Sequence, residues 1–444
     1  MASLSLPAFI IFAFSLFHSS EQTLFSPITK DNYTNFYTLS IYLKTPLQPS
    51  KLHLDLGSYL PWYDCSRHYK SSSYKPVDGY SAFCVDDITP RVISNCFNPP
   101  GPGCTNNSCG FMPQNPVTQK LGSGDIIKDK FALFETGKPG PGPVSELVFS
   151  CTASSSRIYR GLARGSTGVA ALGRFKHSIP AQLSRGFSSP PVFAVCLPGS
   201  STAPGVAVFN SPGPYYFSPT RIDISKSLTH TQLILGPVGA DTEIYWYYKS
   251  PEYYLGLTSL RVNRRVVRLN QTLLAVEDNG RGGTKLSTST RYTLLQTSIY
   301  NALVDTFVKE SAALNLTTTI PVEPFSVSPF SVCFEVDKMP TTRLGPAVPT
   351  IDLVLDNNNN NNNEKIFWRI YGSNSMVRIQ NNGFDGWCLG FIDGGLNPKT
   401  SIVIGGHQLE DNLLQFDLER QRLGFTSSLL AYNTKCANFD FKSH

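Results

Sequence analysis

The segment Leu52-His53-Leu54-Asp55-Leu56-Gly57-Ser58, followed by Leu60-Pro61-Trp62, is the stretch of this chain best suited to chemistry. An apolar strand running into Asp-x-Gly-Ser sets one carboxylate at the end of a buried strand, inside a tight glycine turn. Two such carboxylates lying in one plane share a proton. One then activates water while the other protonates a carbonyl oxygen. A single carboxylate cannot divide its protonation states that way. Whether the chain hydrolyses anything therefore turns on a second such aspartate.

The elements that must hold Asp55 follow from composition. The chain has 444 residues, 41% hydrophobic and 16% charged, which predicts two domains. Its 34 Gly and 32 Pro favour short strands joined by turns over long helices. Strand signals include Leu147–Ser150, Val192–Val195, Ile351–Leu355 and Ser401–Ile404. The clearest helical spacing is Ile299, Leu303, Phe307 and Val308, within 297–314. Pro and Gly concentrate at 211–219, the expected junction between domains at 21–215 and 216–444. The asparagine run at 357–363 reads as a solvated loop between two strands.

Compartment is indicated three ways. Residues 1–20 carry a short apolar run ending in small side chains, as a secretory signal peptide does. No later segment has the roughly 20 apolar residues that a membrane helix needs. The ten cysteines, Cys65, Cys84, Cys96, Cys104, Cys109, Cys151, Cys196, Cys333, Cys388 and Cys436, are an even set, as a disulfide framework requires. Five of them crowd into a Pro/Gly-rich insert at 65–109, which Cys151 would help to staple. Cys333–Cys388 would be a local bridge and Cys196–Cys436 could tie the two halves; the sequence leaves connectivity open. Zinc ligation fails there, with His68 the only nearby histidine and no paired CxxC. Sequons at Asn32, Asn106, Asn270 and Asn315 agree with secretion, so an extracellular protein is expected. The net charge of +6 is spread along the chain and lacks the basic block of a nucleic-acid binder. No phosphate loop, Gly-x-Ser-x-Gly or cofactor motif occurs, and His407 reads as a structural histidine.

Several longer strings carry a resemblance. Asp55-Leu56-Gly57-Ser58 with Trp62, Gly168–Arg174 followed by Ile179–Leu183, Glu252–Leu257, and Ile402–Gly406 through Leu423-Gly424-Phe425 resemble the pepsin-like aspartic protease fold. That resemblance implies an all-β, bilobal molecule with two β-barrel-like lobes, a few short helices and disulfide staples. More narrowly, Arg343–Pro346, Gly372–Val377, Cys388–Gly395 and Ile404–Asn412 resemble the plant glycosidase-inhibitor branch of that family. The branch includes extracellular dermal glycoprotein, xyloglucanase and xylanase inhibitors, and basic 7S globulin. It usually has two more cysteines, where Gly79 and Ile93 stand here.

In active members the second Asp-[Thr/Ser]-Gly follows Gly-Gly-Thr and two apolar residues. Here the string is Gly282-Gly283-Thr284-Lys285-Leu286-Ser287-Thr288-Ser289, so the resemblance implies that Ser287 occupies the carboxylate position. Ser289 replaces the turn glycine, Leu56 replaces a supporting threonine, and no flap tyrosine occurs between Cys109 and Gly124. Asp278-Asn279-Gly280 follows the charged Glu277, and Asp393-Gly394-Gly395 comes too late in the chain to be the second motif. The expectation is a relic dyad with no catalysis.

The resemblance implies a monomeric secreted inhibitor whose partner is a microbial endoglucanase or xylanase. A xyloglucan-specific enzyme is the leading target. Arg343 would enter the target cleft, and Lys399 stands where the branch tends to carry a second arginine. Two alternatives remain: residual aspartic endopeptidase activity, and a storage or peptide-binding role like that of basic 7S globulin.

Overall fold

Leu52 and Leu54 alternate with His53 and Asp55 in strand Gln48–Asp55, and all four side chains are buried. The strand pairs antiparallel with Tyr37–Leu43 and parallel with Gly168–Ala171, so Asp55 emerges at its C-terminal end beside Ala171. The second half of the chain repeats the device. Thr284–Leu286 runs parallel to Ile402–Ile404 and antiparallel to Tyr254–Leu255. The computed structural model describes residues 23–66, 69–88, 91–97, 99–152, 156–234, 250–277, 280–319, 327–356, 365–381 and 384–442. The leader expected at 1–20, His68, Asp278 and the asparagine run lie outside them.

The last strands of the chain join the two halves. Leu413–Asp417 pairs with Val192–Cys196 on one side and hairpins onto Arg422–Phe425, which pairs with Thr229–Ile234. Phe193, Tyr253 and Phe416 stack there, with ring centroids of Phe193 and Phe416 4.7 Å apart. The helix expected from apolar spacing spans Thr297–Ala313 and buries Ile299, Leu303 and Phe307. Gln296 caps it, its side chain accepting from the amides of Ser298 and Ile299.

All ten cysteines are bridged: Cys65–Cys151, Cys84–Cys109, Cys96–Cys104, Cys196–Cys436 and Cys333–Cys388. Three of these hold the insert at 65–109, where Cys84, Cys109, Val77, Ile88 and Ile126 form a small separate core. A β-carbon at Gly79 would lie 3.2 Å from Ile93 Cγ1. Gly79 and Ile93, where the resemblance would place two further cysteines, are thus neighbours in space.

A buried polar clasp also spans the halves. Tyr37 Oη donates to Glu410 Oε1 at 2.6 Å, Lys30 Nζ lies 2.5 Å from the same oxygen, and His407 Nδ1 is 3.4 Å from Oε2. Beside it Asp411 accepts from the Cys436 amide at 2.9 Å, yet burial pushes its carboxyl up to about 6. The adjacent Glu410 charge pushes the same way. A raised carboxyl stabilises the fold in acid and withdraws that stabilisation as pH rises through its folded value. Asp411→Asn keeps the acceptor for Cys436. It is expected to flatten the fall in stability between about pH 4 and pH 6, and to add roughly 2 kcal/mol at neutral pH. Thermal melts across that range check both.

Candidate functional site

Asp55 is 4% exposed and accepts three hydrogen bonds. Ser58 Oγ and the Gly57 amide donate to Oδ2 at 2.5 and 3.2 Å; Ser289 Oγ donates to Oδ1 at 2.6 Å from the other half of the chain. Burial raises the carboxyl above its ordinary range, and these three donors only partly offset it. His53, fully buried, extends the network. The Ala163 amide donates to its Nδ1 at 3.2 Å, so the proton resides on Nε2, which lies 2.9 Å from Ser289 Oγ. The polarity is therefore His53 to Ser289 to Asp55. Burial holds His53 down to about 3, so it stays neutral. The Ser289 proton is committed to Asp55, and no histidine takes it as a general base must for a nucleophilic serine.

Thr288 locks the two turns together. Its Oγ1 donates to the Leu54 carbonyl at 2.9 Å and accepts from the Leu56 amide at 3.2 Å, bracketing Asp55. Leu56 has no hydroxyl to return the contact and is buried in the main core. Ser287 Oγ donates to Thr290 Oγ1 at 3.1 Å, three residues on, just as Ser58 reaches Asp55. The Ser58 and Thr290 carbonyls likewise accept from Gly173 and Gly406 at 3.2 and 2.7 Å. The hydroxyl that meets Asp55 across the halves is that of Ser289, a contact without any local signal in the sequence. Lys285 Nζ and Glu252 Oε1 pair at 2.6 Å beside this turn, and a β-carbon at Gly57 would sit 3.2 Å from Glu252 Cγ. The segment that would carry a flap is pinned: Trp62 Nε1 donates to the Gln114 carbonyl at 3.1 Å. The buried Asn115 side chain bonds the carbonyls of Ile158 and Arg160 and the amides of Val117 and Thr118.

Arg343 is exposed at the tip of a two-residue hairpin between Thr341–Thr342 and Gly345–Pro346. Thr342 Oγ1 closes the turn, accepting from the Leu344 amide at 3.1 Å and donating to the Gly345 carbonyl at 2.9 Å. Gly345 adopts φ 90°, and a β-carbon there would lie 2.1 Å from the Ser373 nitrogen, so only glycine lets the hairpin seat on 372–375. The Ser373 amide donates to the Leu344 carbonyl at 2.8 Å, and the Arg343 guanidinium reaches Asn433 Oδ1. Lys399 stands on a different loop, half-buried, its carbonyl accepting from the Gly282 amide at 2.8 Å. Asn32, Asn106, Asn270 and Asn315 are all exposed.

Matches to known proteins cover nearly the whole chain. The family model for the xylanase inhibitor N-terminal region matches residues 37–211, and that for the C-terminal region matches 252–427. The chain belongs to the xylanase-inhibitor family, a non-proteolytic branch of the pepsin-like fold. "Probable aspartic proteinase GIP2" of Nicotiana benthamiana is 45% identical over 95% of this chain and 92% of its own. Basic 7S globulin of Glycine max is 33% identical over 94% and 91%. The crystal structure of edgp superposes with a TM-score of 0.84 at 42% identity, covering 94% of this chain and 98% of that one. As in the rest of the xylanase-inhibitor family, two pepsin-like lobes survive. In this member the buried turn at their junction offers one carboxylate, held by hydroxyl and amide donors.

Proposed function

We propose that the protein is a secreted inhibitor of microbial cell-wall-degrading glycoside hydrolases, with a xyloglucan-specific endo-β-1,4-glucanase as leading target and a xylanase as the next. The observation that carries this reading is the hairpin of Arg343, exposed and fixed in a family of inhibitors. A retaining glycosidase keeps two carboxyl groups about 5 Å apart in an open cleft. A guanidinium from a rigid loop bonds both through its planar fork, and prior ordering of the loop reduces the entropy lost on binding. Lys399 serves as the second contact, a point charge without the fork. Five disulfides suit an oxidising extracellular compartment. Inhibition assays against microbial xyloglucanases and xylanases test the proposal.

Asp55 and Ser287 form a relic dyad in this reading, and the protein is no peptidase. Acid-pH hydrolysis of denatured haemoglobin is expected to be absent from the wild type and from Asp55→Asn alike. Cleavage lost only in Asp55→Asn would restore the endopeptidase alternative. The similarity to basic 7S globulin and to conglutin gamma of lupine seeds, at 31% identity, favours a storage role as second reading. Accumulation in seed without inhibition of any hydrolase would select it.

A further inference from the structure

The hairpin of Leu257–Val262 and Arg265–Val266 gathers arginines that the sequence interleaves with valine. Its turn is Asn263-Arg264, both at positive φ of 46° and 72°, and it is bolted to Thr350 through the Asn263 amide and Oδ1 at 2.9 and 3.1 Å. The hairpin is the edge of a four-stranded sheet completed by Ile351–Leu355 and Ile366–Ile370. Register aligns Val266, Arg261, Asp352 and Arg369 in one cross-strand row on the face turned away from the core. Val267 is 1% exposed, whereas Arg268, two residues past the strand, is exposed.

Charge around the hairpin is unbalanced. Arg369 neutralises Asp352 through two hydrogen bonds, at 2.6 and 3.1 Å, while Arg265, paired with buried Val262 and so on the other face, reaches Glu310 at 2.6 Å. Arg264 and Arg268 are exposed, and among the described residues no acidic side chain pairs with either. Arg261 lies over the Phe367 ring at 5.2 Å, and its Nε is buried without a hydrogen-bond partner. Val266 and Phe367, 56% and 38% exposed, give the row an apolar floor.

We infer that this face is a binding site for an acidic polysaccharide. Guanidinium forks match carboxylates bidentately, and the apolar faces of sugar rings fit Val266 and Phe367. Arg264 in the turn and Arg268 just past the second strand, four residues apart and both exposed, offer their guanidinium groups to a linear chain of uronates. Such binding would hold the protein in a polyuronate matrix.

Immobilised polygalacturonate eluted with a salt gradient is the test, with immobilised neutral xyloglucan and duplex DNA run in parallel. Wild type is expected to bind polygalacturonate most strongly and to need at least twice the salt required by Arg264→Glu/Arg268→Glu. Lys70→Glu/Lys75→Glu makes the same net-charge change on the other lobe and is expected to elute with wild type. Circular dichroism checks that both variants fold. If both double variants elute together, net charge alone explains retention and the site is wrong. Tighter retention on DNA, or none on polygalacturonate, overturns it equally.

Discussion

Arg343→Ala is expected to raise the inhibition constant against the target hydrolase about 100-fold, with the melting temperature unchanged. The two halves of that expectation come from the same geometry. In the free protein Arg343 is exposed and its described bond goes to Asn433, so truncation removes little of the fold's stability. In the proposed complex it would face two carboxylates in a cleft from which water is excluded. Truncating one side of such a charge pair removes roughly 2–5 kcal/mol, much of it from stranding the other side. Arg343→Lys should recover only part of the loss, because an ammonium cannot bridge both oxygens. Equal inhibition by all three proteins would remove Arg343 from the contact.

Removing the Cys196–Cys436 bridge is the second large effect. The bridge closes a separation of 240 residues and pins strand Val192–Cys196 to the tail beyond Arg422–Phe425. Loop-closure entropy on that scale is worth about 5 kcal/mol, and Cys436 lies in a core with Phe217, Leu413 and Phe439. Cys196→Ala/Cys436→Ala is expected to lower the melting temperature by on the order of 10 °C. Cys96→Ala/Cys104→Ala, closing a separation of 8, is expected to cost about half as much. Differential scanning calorimetry under oxidising conditions compares them, and equal losses would contradict the long-loop account.

Much of the fold is written in local pattern. The Asp-x-Gly-Ser turn, the helix at Thr297–Ala313 and the strand at Ile351–Leu355 follow from apolar spacing and turn residues that act over a few positions. The partner of Asp55 does not. Ser289 meets it only because two turns more than 230 positions apart are locked by Thr288, a relation without sequence period. The arginine face escaped for a different reason. Spread through Arg261-Val-Asn-Arg264-Arg265-Val-Val-Arg268 it looks like ordinary strand composition, and only the turn at Asn263 and the register with Arg369 collect it. The pairing of Gly79 with Ile93 shows the converse, two positions marked by resemblance that the fold brings into contact.

On the proposed function, a scaffold with one carboxylate at its junction inhibits glycoside hydrolases through its loops. Titrating the purified protein into a panel of microbial xyloglucanases and xylanases, and following the initial rate of polysaccharide hydrolysis, tests it most directly. At least one enzyme should lose its activity along a straight line that ends near one inhibitor per enzyme. Rates unchanged across the whole panel at a tenfold excess of protein would contradict the account.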